Sequence, residues 1–525
     1  MHFHPFSIDQ FLKACPMQYK AIMVTGALAF LVTALSGQNF SDALRLSNFT
    51  VGGTARSIGA GSAMGAMGSD FSVMSTNPAG LGWYRGSEFV ISPGIYNAST
   101  TSRLLNDPQA RAFEENRANF NLNTFGVVFA NANAKRDWRA TNFAVGVNRL
   151  ANFHQDFYFE GASPGSIVDR FKEQVNSEAG FSDFESGLAF DVGALYDLDD
   201  DGLFESDFDS APDSANVFKR QDVFTTGAIN EFVFSIAGNY KERLLIGATV
   251  GVPIIRYEVS KNYREEDQGP GVEGNVPFFN ALSYNEDLST SGTGINLKLG
   301  AIFRANQMLR LGAAVHTPTF MRLDDVYTAS MGYNYTENGV EENFTSESPD
   351  GSFEYRLQTP WRFIGSAGVI INSGELRPAE QGDLMVRVPK GGFISAEIEY
   401  LDYGNNEFRY DDFGDAERAV NATIADELTS AWNLRLGGEF AYEIFRLRAG
   451  YSLQQSPLQG DDAINSTISA GFGIHRKTFF IDMAYRRRMN ETFYTPYLTA
   501  LAPEQLVSQD ANLGQIVLTI GFRWF

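Results

Sequence analysis

From residue 88 onward the chain alternates apolar and polar residues with period two. FISAEIEY sets Ile394, Ala396, Ile398 and Tyr400 against Ser395, Glu397 and Glu399. WNLRLGGEF sets Trp432, Leu434, Leu436 and Phe440 against Asn433, Arg435 and Glu439. FRLRAGY, FIDMAYR, INLKLGAIF and LRLGAAVH repeat the pattern, with Arg446, Arg448, Asp482, Arg486, Lys298 and Arg310 on their polar sides. Strands with one apolar and one charged face separate two unlike media. The pattern predicts strands near 88–99, 120–130, 141–151, 228–240, 243–258, 286–304, 307–323, 354–372, 391–403, 430–441, 444–454, 463–474, 477–488 and 512–525. These make fourteen, an even number as bacterial barrels require. A soluble sandwich shares the period, but so many two-faced strands point to an all-β, antiparallel transmembrane barrel. It must close, because an open edge in lipid leaves backbone groups unpaired. The apolar residues then face lipid. Lys298, Arg310, Glu397, Glu399, Arg435, Glu439, Arg446, Arg448, Asp482 and Arg486 face inward, and their mixed signs predict a salt-bridged network. Short reversals at 240–243 and 442–443 mark the inner rim. The polar stretches 152–227, 259–285, 324–353, 404–429 and 489–511 are expected as outer loops.

The N-terminus adds a compartment. Lys20 precedes the apolar run Ala21–Leu35, and Ser36-Gly37-Gln38 follows it. A basic flank, an apolar core and small residues make a secretory signal peptide over 1–37, and the run is shorter than the roughly 20 residues of a membrane helix. Cys15, the single cysteine, falls inside that leader, so no disulfide, thiol nucleophile or cysteine-based metal site is expected in the exported chain. A net charge of -22 disfavours nucleic acid. At the other end, NLGQIVLTIGFRWF reads as a last barrel strand ending on an aromatic residue, with Phe525 one position out of phase.

Residues 38–87 lack the strand pattern. Gly, Ala and Ser dominate between Gly52 and Gly68, and Asn77-Pro78-Ala79-Gly80 is a turn signal. Small side chains let a backbone pack closely in a crowded lumen. The stretch GGTARSIGAGSAMGAMGSDFSVMSTNPAGL resembles the N-terminal signature of the FadL/TodX/OmpP1 family of outer-membrane transport proteins: a Gly-Ala-Arg opening, a Gly/Ala run, an acidic residue and an Asn-Pro-Ala turn. GNYKERLLIGATVGVPIIRYE, LRLGAAVHTPTF, TPWRFIGSAGVI and ISAEIEYLDYG resemble the branch found in Bacteroidetes. The resemblance implies a fourteen-stranded barrel in the Gram-negative outer membrane, with 38–87 as a hatch inside it and Arg56, Asp70, Asn77, Pro78, Ala79 and Gly80 at the gate. It also implies passive uptake of long-chain fatty acids or similar hydrophobic compounds. Ligand would bind in an apolar pocket near the outside, then leave through a hatch rearrangement or sideways at an inward strand kink. No cofactor is required; the partners are the ligand and the surrounding lipid and lipopolysaccharide, and the barrel is expected as a monomer. The alternative within the same family is a binding or assembly part of a secretion or surface-attachment complex.

The long loop carries the remaining candidates. Pro164 and the spacing of Ile167, Phe171 and Val175 predict an amphipathic helix. Phe171, Phe181, Phe184, Leu188 and Phe190 are candidate ligand contacts, and they also fit a loop core. Asp197, Asp199 and Asp201 before Gly202 form the first half of a calcium loop. Phe208 stands where an EF-hand has its Glu, so a solvated acidic loop is the alternative. Beyond the leader, His154, His316 and His475 show no HExxH spacing, and no GxSxG stands out, so no enzyme is expected.

Overall fold

The computed structural model describes residues 38–524 except 133–134, 213–214, 271, 373–374, 379–384 and 389. The leader reading of 1–37 and the terminal Phe525 lie outside the described residues. Fourteen antiparallel wall positions close into one barrel. In chain order they are Ser87–Leu104, Phe113–Ala132, Trp138–Asn152, Val217–Tyr240, Leu244–Glu266, Phe279–Arg304, a seventh made of Leu309–His316 and Phe320–Glu337, an eighth made of Gly351–Gln358 and Arg362–Asn372, then Lys390–Asp402, Ser430–Tyr442, Phe445–Gln455, Ile464–His475, Phe479–Tyr494 and Val507–Trp524. The first strand pairs with the last from Ser87↔Trp524 to Leu104↔Val507, which closes the wall.

Ile236, Leu299, Leu436, Leu447 and Met483 point outward and are exposed, forming the apolar belt that a bilayer covers. Above that belt the alternation reverses phase. In the fifth strand Ile246 and Val250 face out, whereas Ile255, Tyr257, Val259 and Tyr263 are buried inward and Arg256, Glu258 and Arg264 face out. The strands therefore continue beyond lipid into water with an apolar core inside. This corrects two expected loops: 259–285 and 324–353 are largely strand. The expected loop 404–429 contains the helix Gly414–Glu427, whose Val420 and Ile424 pack on Tyr403 and Phe408.

One interruption crosses two neighbouring strands. Pro318 breaks the seventh strand and Pro360 the eighth, and the shared register on either side, His316↔Arg362 and Phe320↔Gln358, places them face to face. Proline supplies no N–H to a ladder. Thr319 and Thr359 take over locally, the Thr359 N–H donating to the Thr319 carbonyl at 3.1 Å and the Thr319 N–H to the Thr359 hydroxyl at 2.9 Å. On the lipid side of the same strands lies an apolar depression of about 690 Å³ between Val315, Phe363, Ile398 and Trp432.

Candidate functional site: the occluded lumen and its side opening

Residues 38–86 run down the inside of the barrel. The helix Phe40–Ser47 is closed by a capping box, Asn39 with Asp42, and buries Ala43 and Leu46 against Leu323, Tyr355 and Phe408. Lower down, the backbone comes so near the wall that both sides must be glycine. A Cβ on Gly59 would lie 3.0 Å from the Gly471 Cα, and one on Gly61 would lie 3.1 Å from the Gly450 Cα.

The residues expected at the gate are brought together in this layer. Arg56 donates to the Ser69 carbonyl at 2.7 Å and to Glu439 of the wall at 3.2 Å. Asp70 accepts from the Thr54 hydroxyl at 2.7 Å and the Ser72 N–H at 2.9 Å, capping the short turn Phe71–Ser75. The Asn77 amide donates to the Gly65 carbonyl at 2.8 Å and the Ala301 carbonyl at 3.2 Å, and its oxygen accepts from the Ala79 N–H. Pro78 starts the last turn, Pro78–Trp83, where a missing N–H costs nothing. Arg310 stacks 3.8 Å over Trp83 and donates to the Met67 carbonyl.

The inward charges form the expected network. Arg448 bridges Asp482 and Glu439, both at 2.7 Å, while Arg435 bridges Glu397 at 2.7 Å and Glu399. Arg362 adds to Glu399 at 2.7 Å, and Glu397 also accepts the Gly65 N–H. Lys298 pairs with Glu231. Three of the expected members stay outside these pairs: Arg310 stacks on Trp83, Arg446 bonds the Glu443 and Phe445 carbonyls at the rim, and Arg486 has no carboxylate.

The outer mouth is filled by the long loop. Its predicted helix forms at Ile167–Val175, with Ser166 and Asp169 as a capping box, and Glu265 of the wall accepts both the Ser166 hydroxyl and the Ile167 N–H. Phe171 is fully buried 5.2 Å from Tyr284, in one core with Leu188, Phe159, Tyr263 and Tyr333. Phe184 meets Tyr327 in a tilted ring contact, 4.6 Å between centroids, at the edge of that core. Phe181 and Phe190 go elsewhere: 51% and 48% exposed, they cluster with Phe204 on the outer surface of the loop. The five aromatic and aliphatic candidates thus split between a packed core and a surface knot. Asp169 and Asp207 are held above the usual carboxylate range by burial in this roof, Asp207 while accepting from Tyr333 at 2.7 Å and Tyr196 at 3.2 Å.

The wall ladder stops early between two neighbouring strands. The second and third strands pair from Ala132↔Ala140 only as far as Thr124↔Asn148. Above that level the second strand pairs with the first alone, out to Phe113, while the third breaks at Phe153-His154. Its continuation, Gln155–Ser163, pairs with the fourth strand alone. That continuation leans across the lumen toward the first strand, where Gln155 donates to Thr100 at 3.1 Å. Side chains span the gap: Asn119 meets His154 at 3.1 Å, and Arg117 pairs with Asp156 at 2.9 Å. Phe120 on the lip is 75% exposed.

The barrel has a solved counterpart in overall fold. The chain superposes on the crystal structure of a Pseudomonas aeruginosa FadL homologue with a TM-score of 0.52 and 11% identity, over 91% of this chain and 99% of that one. The fold is FadL-type. The toluene transporters TodX of Pseudomonas putida and TbuX of Ralstonia pickettii align with TM-scores of 0.46 and 0.45, at 13% and 14% identity, each over 90% of this chain and 98% of theirs; at those scores the fold assignment rests on the first. No protein-family model and no curated protein matches the sequence.

Within this FadL-type barrel, sequence reasoning missed Glu231, Arg362 and Glu88, the last paired with Arg523 at 2.7 Å, although Glu231 stands in phase with the inward Ser235 and Asn239. The sideways exit at an inward strand kink that the resemblance implies was not located in the sequence; the signal for its place was the polar run Asn119, Asn121, Asn123 on one strand face opposite the Asn152–His154 break. In the loop, the carboxylates of Asp197, Asp199 and Asp201 lie within 4.8 Å of one another. The N–H groups of Asp201 and Gly202 already donate to Asp197, which accounts for the turn as it stands.

Proposed function

We propose that this protein is a passive outer-membrane channel for hydrophobic small molecules, with residues 38–86 as the hatch that denies them a straight path and the gap between the second and third strands as their way out. The observation that carries this reading is the gap. A barrel in lipid must satisfy its backbone by pairing, so a stretch where two strands stop pairing at the height of an exposed phenylalanine demands a use. Lateral release is one: an apolar molecule reaches the bilayer without crossing the packed hatch or the polar interior beneath it. The exported-barrel architecture and the FadL-type fold support the outer-membrane setting, and long-chain fatty acids are one class of compound that fits an apolar, occluded route.

The test staples the gap. In proteoliposomes carrying an N119C/H154C variant, oxidation slows entry of a fluorescent long-chain alkyl probe, and reduction restores it. Entry that is indifferent to the staple rules out the lateral route.

A further inference from the structure

Above the filled mouth, the long loop holds out an apolar surface that the transport route does not use. Phe181, Phe190 and Phe204 meet edge to face, with ring centroids 5.0, 5.4 and 5.8 Å apart. Such contacts stabilise a trio of rings. Phe181 and Phe190 nevertheless remain about half exposed, and Leu198 and Leu203, on the turn leading to Phe204, are more exposed still. The core beneath is occupied by Phe171, Leu188, Tyr263 and Tyr333, and takes neither Phe181 nor Phe190. Lipid does not cover them either. The outward face of the seventh strand is polar at Arg322, Asp324, Thr328, Ser330 and Asn334. The loop packs near that strand's tip, where Ser346 of the adjoining strand Val340–Glu347 donates to Asp191 at 3.1 Å. An apolar patch held out in water marks a contact surface.

The charge around this patch has one sign. Residues 176–216 hold twelve Asp or Glu and no Lys, Arg or His, and residues 326–353 hold five more, again with no cation. The two stretches carry the larger part of the net charge of -22. Two cations reach in from the neighbouring helix, Arg170 to Glu185 and Lys172 to Asp209. Glu178, Asp183, Asp199, Asp200 and Asp201 have no ion pair among the described residues. Exposed rings among unpaired carboxylates repel an anionic ligand and suit a cation that brings apolar groups of its own. Ring faces also attract Lys and Arg directly.

The backbone beside the patch says what form that cation takes. Val340–Glu347 pairs with the seventh strand and, among the described residues, with no other strand. Its second edge is a row of unpaired N–H and C=O groups, which an extended polypeptide completes and a small molecule does not. We propose that this outer crown, the Phe181–Phe190–Phe204 knot with its carboxylates and the open edge of Val340–Glu347, docks a basic polypeptide segment of a partner protein at the cell surface. The segment interleaves Lys or Arg with apolar side chains. This goes beyond the transport reading and does not depend on it.

The experiment measures binding of labelled peptides to the full barrel in phosphatidylcholine nanodiscs at physiological salt, by fluorescence anisotropy. The probes are a peptide alternating Lys with Leu, its Glu/Leu counterpart, and oligolysine of the same length. Wild type binds the Lys/Leu peptide most tightly and the Glu/Leu peptide least. F181S/F190S/F204S weakens the Lys/Leu peptide roughly tenfold or more and leaves oligolysine unchanged. D183N/D199N/D200N weakens both cationic peptides. F181Y/F190Y/F204Y, which keeps the rings and controls for a collapsed loop, holds wild-type affinity. D461N/D462N, which neutralises an exposed acidic turn elsewhere on the outer rim, changes nothing. Equal binding by the serine variant and wild type, or a loss as large in D461N/D462N, overturns the proposal. So does binding that requires added calcium and is reproduced by lipopolysaccharide vesicles, since the crown is then a cation-bridged lipid contact.

Discussion

Asn77 is the most exposed to a single-atom argument. Its one side chain ties the internal segment to itself at Gly65 and to the wall at Ala301, and both acceptors are backbone oxygens in a buried layer. Asn77→Ala strands them, at a cost of about 1–3 kcal/mol. Hydrogen exchange then speeds up over residues 65–84 and stays unchanged in the wall strands; uniform protection in the variant contradicts the part assigned to Asn77. The residue could be picked out because Asn-Pro-Ala-Gly has a fixed local grammar, a cap followed by a proline-started turn. Arg56 and Asp70 could be named but not partnered. Their contacts, Glu439 and Thr54, depend on a packing of segment against wall that leaves no trace in spacing.

At the level of elements, strands were legible wherever a side chain met lipid on one face and charge on the other. The same alternation became misleading above the bilayer. There the apolar residues of the fifth strand shift from even to odd positions, so a pattern that continues in space looks like an ending in sequence. The long loop shows the complementary case: helical spacing correctly placed Ile167–Val175, while nothing in the run of phenylalanines distinguished Phe171, fully buried, from Phe181, half exposed. This roof has a pH dependence with a definite sign. Burial raises the Asp207 pKa above its unfolded value near 3.8, so the folded loop holds its proton more tightly than the unfolded one. The loop is therefore least stable above the raised pKa and gains stability as pH falls through it toward 3.8. Amide protection of Ile167–Val175 rises across that acid window, and Asp207→Asn flattens the rise. A helix equally protected at every pH in both proteins contradicts the linkage.

For the whole molecule, closure and strand number followed from periodicity and the demand for paired backbone. The two weak places in the wall did not, because a ladder is a property of neighbours far apart in sequence. These places differ in kind. Between the second and third strands the pairing stops, whereas between the seventh and eighth it falters at Pro318 and Pro360 and resumes. A T319C/T359C staple across the proline pair therefore leaves probe entry at the wild-type rate, in contrast to the N119C/H154C staple. Entry slowed equally by both would move the exit to the proline seam or make it a collective motion of the wall.

The facing prolines have a mechanical consequence. With the outer part of the second–third seam unpaired and the seventh–eighth seam interrupted at its prolines, two panels are set off, strands three to seven and strands eight round to two, still laced by Thr124↔Asn148 to Ala132↔Ala140 and by the ladders on either side of the prolines. The internal segment is riveted to both: to the first panel by Asn77 at Ala301, to the second by Arg56 at Glu439, Gly65 at Glu397 and the Ala55 N–H at Thr519. It ties the two panels together as well as filling the space between them. A shift of that segment would load both seams, and the outer gap between strands two and three, held by side chains such as Arg117 and Asp156 and not by a backbone ladder, resists it least.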